Sequence, residues 1–239
     1  DSAITVPGPE TEEIGELAAA AGMTIVVGVI ERDGGTLYCT AVYIGADGSL
    51  VGKHRKLMPT ASERLIWGQG DGSTLEVFDS PAGRYAATIC WENYMPQLRL
   101  ATYEQDIQLW CAPTVDDREI WQSSMRHIAY EGRMFVLSSC QYLTRADCPD
   151  DYDAVQGNDP ETELIRGGSV IVSPLGEVLA GPVYGQSALL VADIDLADQA
   201  RGKYDLDVTG HYSRPDVFQL SVNTEPRSSV RRVAAAPAV

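Results

Sequence analysis

The chain has 239 residues and a formal net charge of −16; 44% of its residues are hydrophobic and 22% are charged. This length and composition are typical of a globular protein with one sizeable core. The strong negative charge argues against nucleic acid or an anionic membrane surface as a partner. No hydrophobic run is long enough to span a bilayer and no signal peptide is recognisable, so we expect a cytoplasmic location.

Helical and strand-like segments alternate along the chain, which predicts an α/β fold in a single domain, residues 1–222. Helices are predicted over residues 9–22, 97–103, 118–132 and 195–203, and strands over 23–30, 36–44, 50–52, 85–89, 109–112, 135–140, 168–172, 178–180 and 188–193. The polar stretch 143–166 predicts a long surface loop. Residues 223–239 become basic and then rich in Ala and Pro, which predicts a disordered tail.

The five cysteines are widely spaced and odd in number, which indicates free thiols in a reducing compartment rather than a disulfide framework. No CxxC pair or Cys/His cluster is present, so the sequence predicts no zinc site. Cys39, Cys111 and Cys140 lie in hydrophobic, strand-like runs, and we expect these three thiols to be buried.

Cys90 directly follows the predicted strand 85–89 and precedes Trp91-Glu-Asn, which can begin a helix. A nucleophile on such a sharp turn is exposed, and nearby backbone N–H groups can hold an oxyanion. The position alone is weak evidence, because most free cysteines are small buried hydrophobic residues.

Upstream of Cys90, a basic run ends at Lys56, and Glu63 follows seven residues later. An amine near a thiol favours the thiolate form and can hydrogen-bond the charge that develops in a tetrahedral intermediate. Without further support, Lys56 would be interpreted as a solvated lysine, and Glu63 as the partner of Arg64 in a surface salt bridge.

The wider sequence context favours the catalytic interpretation, because the chain resembles the nitrilase branch of the carbon–nitrogen hydrolase superfamily over roughly residues 6–222. The resemblance is closest to aliphatic and plant-type nitrilases. The matching segments are Arg55-Lys-Leu-Met-Pro-Thr60, Glu63-Arg-Leu-Ile-Trp-Gly-Gln-Gly-Asp-Gly72, Ile89-Cys-Trp-Glu-Asn93, Cys111-Ala-Pro-Thr114, Ser124-Met-Arg-His-Ile-Ala-Tyr-Glu-Gly132, Gly167-Gly-Ser-Val-Ile-Val-Ser-Pro-Leu-Gly176, Val178-Leu-Ala-Gly-Pro182 and Gly210-His-Tyr-Ser-Arg-Pro215.

The resemblance implies a four-layer α-β-β-α sandwich and a homo-oligomer, a dimer that extends to a spiral or filament. It implies that Cys90 is the nucleophile, that Lys56 supplies the cation, and that Glu63 orients Lys56 or sits against the reacting group. The backbone N–H of Trp91 would be a second oxyanion donor and its indole would line the pocket, which Thr114 would also face.

The reaction implied is hydrolysis of a small nitrile by water to the carboxylic acid and ammonia, through a thioimidate and a thioester on Cys90. It needs no metal or organic cofactor. Partial release of the amide is expected if the tetrahedral adduct expels Cys90 instead of ammonia.

One family element has no match in this chain, namely an upstream strand–helix portion that carries the first catalytic glutamate, the general base. The glutamates between residues 10 and 16 are interpreted as the acidic first turn of a helix. We therefore expect an N-terminally incomplete domain. Two alternatives stay open: an amidase-type carbon–nitrogen hydrolase, or a non-catalytic scaffold or partner subunit.

Four other polar residues in the matching segments receive structural interpretations. His127 lies in a helix-like run without an Asn or Asp partner pattern, which argues against a Cys–His pair with Cys90. His211 is also interpreted as structural. We expect Glu92 and Glu131 to form buried pairs, with arginine as the candidate partner.

Overall fold

The computed structural model describes residues 2–230, and within this range four α-helices and nine strands follow one another. The helices are α1 (Pro9–Ala21), α2 (Pro96–Tyr103), α3 (Glu119–Gly132) and α4 (Ala197–Lys203). The strands are β1 (Ile25–Asp33), β2 (Thr36–Ile44), β3 (Leu50–Arg55), β4 (Tyr85–Ala87), β5 (Leu109–Cys111), β6 (Phe135–Ser138), β7 (Tyr142–Thr144), β8 (Glu163–Val172) and β9 (Val178–Tyr184).

The strands form two sheets. The first is antiparallel, in the order β1-β2-β3, and contains the hairpin predicted before Lys56. The second has the order β4-β5-β6-β8-β7, with β9 paired to β8. Its strands β4, β5 and β6 are parallel, whereas β8 runs antiparallel to β6, β7 and β9.

Alternating residues of β2 show how the first sheet is covered on both faces. Val42 and Ile44 pack with Ala18 of α1. Ala41 and Tyr43 point the other way and pack in a cluster with residues of β4, β5 and β6. Because successive side chains of a strand point to opposite faces, a stretch buried on both faces is continuously hydrophobic, as residues 41–44 of β2 are.

The second sheet is also covered on both faces. Ala86, Trp110 and Val136, one residue from each parallel strand, pack with buried residues of α3 such as Trp121 and Met125. Their neighbours in the same strands face the first sheet. The layers are therefore α1, first sheet, second sheet, and α2 with α3, which confirms the predicted α-β-β-α sandwich.

This arrangement gathers the predicted site residues at strand ends. Lys56 follows β3, Cys90 follows β4, and Thr114 follows β5. Since β4 and β5 are parallel neighbours, the segments after them leave the same edge of the second sheet.

Two predicted segments differ from the structure. The loop predicted over 143–166 is shorter, since β7 begins at Tyr142 and β8 already begins at Glu163. The strand predicted over 188–193 has no regular secondary structure; Leu189 and Val191 are 89% and 75% exposed. A hydrophobic run becomes a strand only where a neighbouring strand pairs with it, and here the run lies on the surface.

The end of the described chain packs against the loop after the first sheet. The backbone N–H of Arg227 donates to Asp71 (2.6 Å), and its guanidinium donates to the carbonyl of Gln69 (3.2 Å). Residues 231–239, the rest of the predicted tail, lie outside the described residues, so the disorder of that tail stays a prediction.

Within residues 2–230, no helix combines the length and hydrophobicity that a membrane crossing requires.

Candidate active site

Cys90 lies in a strained turn that its neighbours hold in place. Its φ is +54°, in the left-handed region that a residue with a Cβ seldom adopts. Its backbone N–H donates to the carbonyl of Pro113 (2.8 Å). The side-chain amide of Asn93 donates to the carbonyls of Cys90 (2.8 Å) and Thr88 (2.9 Å). The turn is thus fixed from both sides. Cys90 itself is buried, 6% exposed, so the expectation that this turn exposes the nucleophile is wrong.

Asn93 is itself fully buried and fully bonded, because its side-chain oxygen accepts from the Thr88 hydroxyl (2.9 Å) and the Trp110 indole (2.8 Å). With two donated and two accepted bonds, its side chain has used its main hydrogen-bonding capacity. In the sequence, the one signal that marks Asn93 is its position three residues after Cys90, within the turn Cys90–Tyr94.

Lys56 is almost fully buried and is paired with Glu63. The ammonium lies 2.6 Å from a carboxylate oxygen of Glu63 and 3.1 Å from the hydroxyl of Thr60. The same carboxylate oxygen accepts from the backbone N–H of Thr60 (2.6 Å). Arg64 instead donates to the carbonyl of Pro59 (3.1 Å). The partner of Glu63 is therefore Lys56, and the interpretation as a surface pair with Arg64 is wrong.

Thr114 contacts the thiol of Cys90 directly. Its hydroxyl oxygen lies 3.2 Å from Cys90 Sγ and accepts from the backbone N–H of Asp116 (2.9 Å). The hydroxyl oxygen of Thr114 accepts one hydrogen bond, from Asp116, and the hydroxyl proton donates another, to the sulfur. A donor in this position favours the thiolate over the thiol.

Trp91 is 42% exposed, and its indole is held by Asp116 and Arg118, two residues that no sequence motif indicates. The indole N–H donates to Asp116 (2.8 Å), and Asp116 is paired with Arg118 (2.6 Å). Burial alone would raise the pKa of the Asp116 carboxyl, but hydrogen bonds from Arg118 and Trp91 lower it below its ordinary value. Asp116 is therefore a stable acceptor that fixes the indole beside Cys90.

The two acids expected to pair with arginine behave differently. Glu131 accepts from Arg99 (2.7 Å), the expected type of partner, and from Tyr103 (2.9 Å), but its side chain is 27% exposed and the pair is not buried as expected. Glu92 pairs instead with His54 (3.1 Å), a residue of the basic run 53–56, so the expected arginine partner is wrong. His127 is largely exposed on α3 and faces Glu131 (3.8 Å) rather than Cys90.

The other thiols in the sandwich are poor nucleophiles. Burial raises the pKa of Cys39, Cys111 and Cys140 to about 12, so all three are neutral at pH 7. Cys140 is buried as expected, whereas Cys39 and Cys111 are only partly buried.

Cys39 lies between the two segments that carry Lys56 and Cys90. It packs against the buried cluster that contains Cys90, and its carbonyl accepts from the backbone N–H of Lys56 (2.8 Å).

Among the described residues, no three His, Cys, Asp or Glu side chains are grouped to hold a metal ion. The candidate site consists instead of a thiol, an ammonium–carboxylate pair and hydrogen-bond donors. These groups suit acyl transfer through a covalent intermediate on sulfur.

Comparisons with known proteins agree with this chemistry. A family model described as carbon-nitrogen hydrolase matches residues 1–204. The chain is 58% identical to an aliphatic nitrilase of Sinorhizobium fredii, over 95% of this chain and 74% of that protein. It is 55% identical to nitrilase 2 of Arabidopsis thaliana (96% and 69%) and 53% identical to a bifunctional nitrilase/nitrile hydratase of Lupinus angustifolius (96% and 67%).

Solved structures show the same fold at low identity. The NitFhit protein of C. elegans has a TM-score of 0.73 at 20% identity, over 93% of this chain and 54% of that one. A carbon-nitrogen hydrolase from Helicobacter pylori has a TM-score of 0.69 at 19% identity, over 81% and 69%.

Proposed function

Because the chain belongs to the carbon–nitrogen hydrolase family, we propose that it is a nitrilase, which hydrolyses an organic nitrile to the carboxylic acid and ammonia. The observation that carries the proposal is the thiol of Cys90 on a strained turn, with the Thr114 hydroxyl 3.2 Å from its sulfur. Relatives named as nitrilases, 53–58% identical over at least 95% of the chain, support this substrate class.

The first half of the reaction forms a covalent adduct on sulfur. The thiol of Cys90 gives up its proton, the sulfur attacks the nitrile carbon, and the proton is transferred to the nitrogen, which gives a thioimidate. Lys56 donates to the nitrogen as negative charge develops, and the backbone N–H of Trp91 is the second donor. Glu63, 2.6 Å from the buried ammonium, directs it.

The second half consumes two molecules of water. The first adds to the thioimidate carbon, and the tetrahedral adduct expels ammonia to leave a thioester. The second attacks the thioester, which releases the carboxylic acid and returns Cys90 as the thiol. If the first adduct expels Cys90 instead, the amide is the product, so the orientation of Lys56 toward the leaving nitrogen governs the ratio of acid to amide.

The indole of Trp91 forms part of the substrate pocket in this proposal. It is partly exposed, and its edge is bonded to Asp116. A flat hydrophobic ring fixed next to the nucleophile can pack against the group that the nitrile carries.

The test is the release of ammonia, acid and amide from a panel of small nitriles and the corresponding amides. The 239-residue chain is assayed beside a version extended by its upstream coding sequence, and beside the Cys90→Ala variant of each. We expect ammonia and acid from nitriles, and none from either Cys90→Ala variant. Ammonia from amides alone would replace the proposal with an amidase. No turnover of nitriles by either version would overturn it.

A further inference from the structure

The carboxylate of Glu92 bonds to both segments that carry the proposed catalytic residues. It is buried, with none of its side chain exposed. One oxygen accepts from the backbone N–H of Leu57 (2.6 Å), and the other accepts from the backbone N–H of Ile89 (2.8 Å). Leu57 directly follows Lys56, and Ile89 directly precedes Cys90. A single side chain therefore connects the residue next to the cation with the residue next to the nucleophile.

Both bonds lie just beyond strands. β3 ends at Arg55 and β4 ends at Ala87, so neither N–H belongs to a strand ladder. A buried backbone N–H without an acceptor is costly, and Glu92 supplies the acceptor for both. The segments at the ends of two different sheets are thus joined through one carboxylate.

His54 faces this carboxylate. Its Nε2 lies 3.2 and 3.1 Å from the two oxygens of Glu92, and its Nδ1 lies 3.2 Å from the carbonyl oxygen of Thr74. The charge of Glu92 and its hydrogen bond to the ring outweigh burial and raise the pKa of His54, which favours the cationic ring. The hydroxyl of Thr74, 3.3 Å from Nδ1, is itself an acceptor for the backbone N–H of Arg55 (3.3 Å).

We propose, as an extension of the nitrilase function above, that Glu92 is a positioning residue that sets the placement of Lys56 relative to Cys90, with His54 as its counter-ion. Glu92 acts only through backbone N–H groups and contacts neither proposed catalytic side chain. A displacement of about 1 Å between reacting groups can cost about 10²-fold in rate. The role of Glu92 is therefore expected in kcat rather than in substrate binding.

The variant Glu92→Gln tests the role because it keeps the shape of the side chain and replaces one accepting oxygen by a donor. One of the two N–H groups, on Leu57 or Ile89, then loses its acceptor. We expect kcat for a nitrile to fall at least about tenfold while KM changes less than about twofold, the pattern of a lost transition-state interaction.

Glu31→Gln is the matched control. Glu31 is also buried, and it accepts from the side chains of Thr40, Lys53 and Arg55, none of which has a proposed catalytic role. We expect a comparable loss of thermal stability and a kcat within about twofold of the parent protein. An equal fall of kcat in Glu31→Gln would mean that general destabilisation explains both variants, and the proposal would be overturned.

A second readout does not depend on nitrile hydrolysis. Alkylation of Cys90 by iodoacetamide, followed by peptide mass spectrometry, reports on the thiolate that the Lys56 cation favours. We expect Glu92→Gln to slow it at least about fivefold; an unchanged rate in the folded variant overturns the positioning role. If Glu92→Gln does not fold, Glu92→Asp, whose shorter side chain keeps the charge but cannot reach both backbone N–H groups, is measured in its place with the same expected direction. A parent protein that is alkylated but turns over no nitrile contradicts the nitrilase proposal, and the alkylation comparison still decides the role of Glu92.

Discussion

The ammonium group of Lys56 lies 2.6 Å from a carboxylate oxygen of Glu63 in a part of the fold where Lys56 is 1% exposed. A buried ammonium without a counter-ion would lose its proton or destabilise the fold. The 3-10 turn Ala61–Leu65 carries Glu63, and its carboxylate also accepts from the N–H of Thr60. Glu63 therefore both neutralises Lys56 and determines where it points.

The first prediction concerns this pair. Glu63→Gln keeps the shape but removes the negative charge, so Lys56 loses its counter-ion and its direction. We expect kcat for a nitrile to fall about 10²-fold, close to the loss found when one oxyanion donor is removed. Steady-state kinetics of ammonia release measure this. The neighbouring variant Arg64→Gln, which removes the bond to the Pro59 carbonyl, should stay within about twofold of the parent; equal losses in both variants would contradict the role of Glu63.

The second prediction concerns the hydroxyl next to the thiol. Thr114→Val keeps the volume and removes the donor 3.2 Å from Cys90 Sγ. A hydrogen bond to a charged group contributes about 1.5–3 kcal/mol, so alkylation of Cys90 by iodoacetamide at pH 7 should slow at least tenfold.

Thr102→Val is the control for this experiment, because Thr102 is similarly buried but its hydroxyl donates to Leu98 within α2 (2.9 Å). We expect its alkylation rate to match that of the parent. Equal rates in Thr114→Val and the parent would show that the hydroxyl does not stabilise the thiolate.

The third prediction is a dependence of stability on pH. Burial alone would lower the pKa of His54, but the charge and hydrogen bond of Glu92 outweigh it and raise the pKa above its ordinary value of 6.5. The folded state therefore binds this proton more tightly than the unfolded state. The resulting stabilisation is complete below about pH 6.5 and is lost as the pH rises through the pKa of the folded state.

Urea unfolding between pH 6 and pH 9 measures this effect. The free energy of unfolding of the parent should fall with rising pH more steeply than that of His54→Gln, since other groups titrate alike in the two proteins. Parallel curves would mean that His54 does not carry the expected proton.

The sequence predicts which segments can form buried strands better than it predicts which strands pair with each other. The hydrophobic run 41–44 at the end of β2 is typical of a strand buried on both faces, and both faces are covered. The run 188–193 has a similar composition but no pairing strand, and Leu189 is 89% exposed. Hydrophobicity indicates what can be buried, whereas pairing depends on segments that are distant in sequence.

The same distinction applies to the site. Cys90, Lys56 and Glu63 could be named because they lie in recognisable segments, and their proposed roles still await the experiments above. The pairing of His54 with Glu92 joins residues 38 positions apart, and that of Trp110 with Asn93 joins residues 17 apart. No local spacing rule indicates such contacts, so the residues that hold the turn in place emerge only from the fold.

The last prediction concerns Gly70, which lies against the end of β3 just before Lys56. Its N–H donates to the carbonyl of Lys56 (2.8 Å), and a Cβ at this position would lie 2.1 Å from the carbonyl oxygen of Arg55. The strand end cannot easily move away, because the N–H of Lys56 is bonded to the carbonyl of Cys39 (2.8 Å). Gly70→Ala should therefore cost about 1–3 kcal/mol of stability and displace Lys56, so both the melting temperature and kcat should fall.

Gly35→Ala is the control, since a Cβ at Gly35 meets nothing within 4 Å, and it should leave both quantities unchanged. A Gly70→Ala protein as stable and active as the parent would show that the strand end tolerates displacement and that the backbone around Lys56 does not govern its placement.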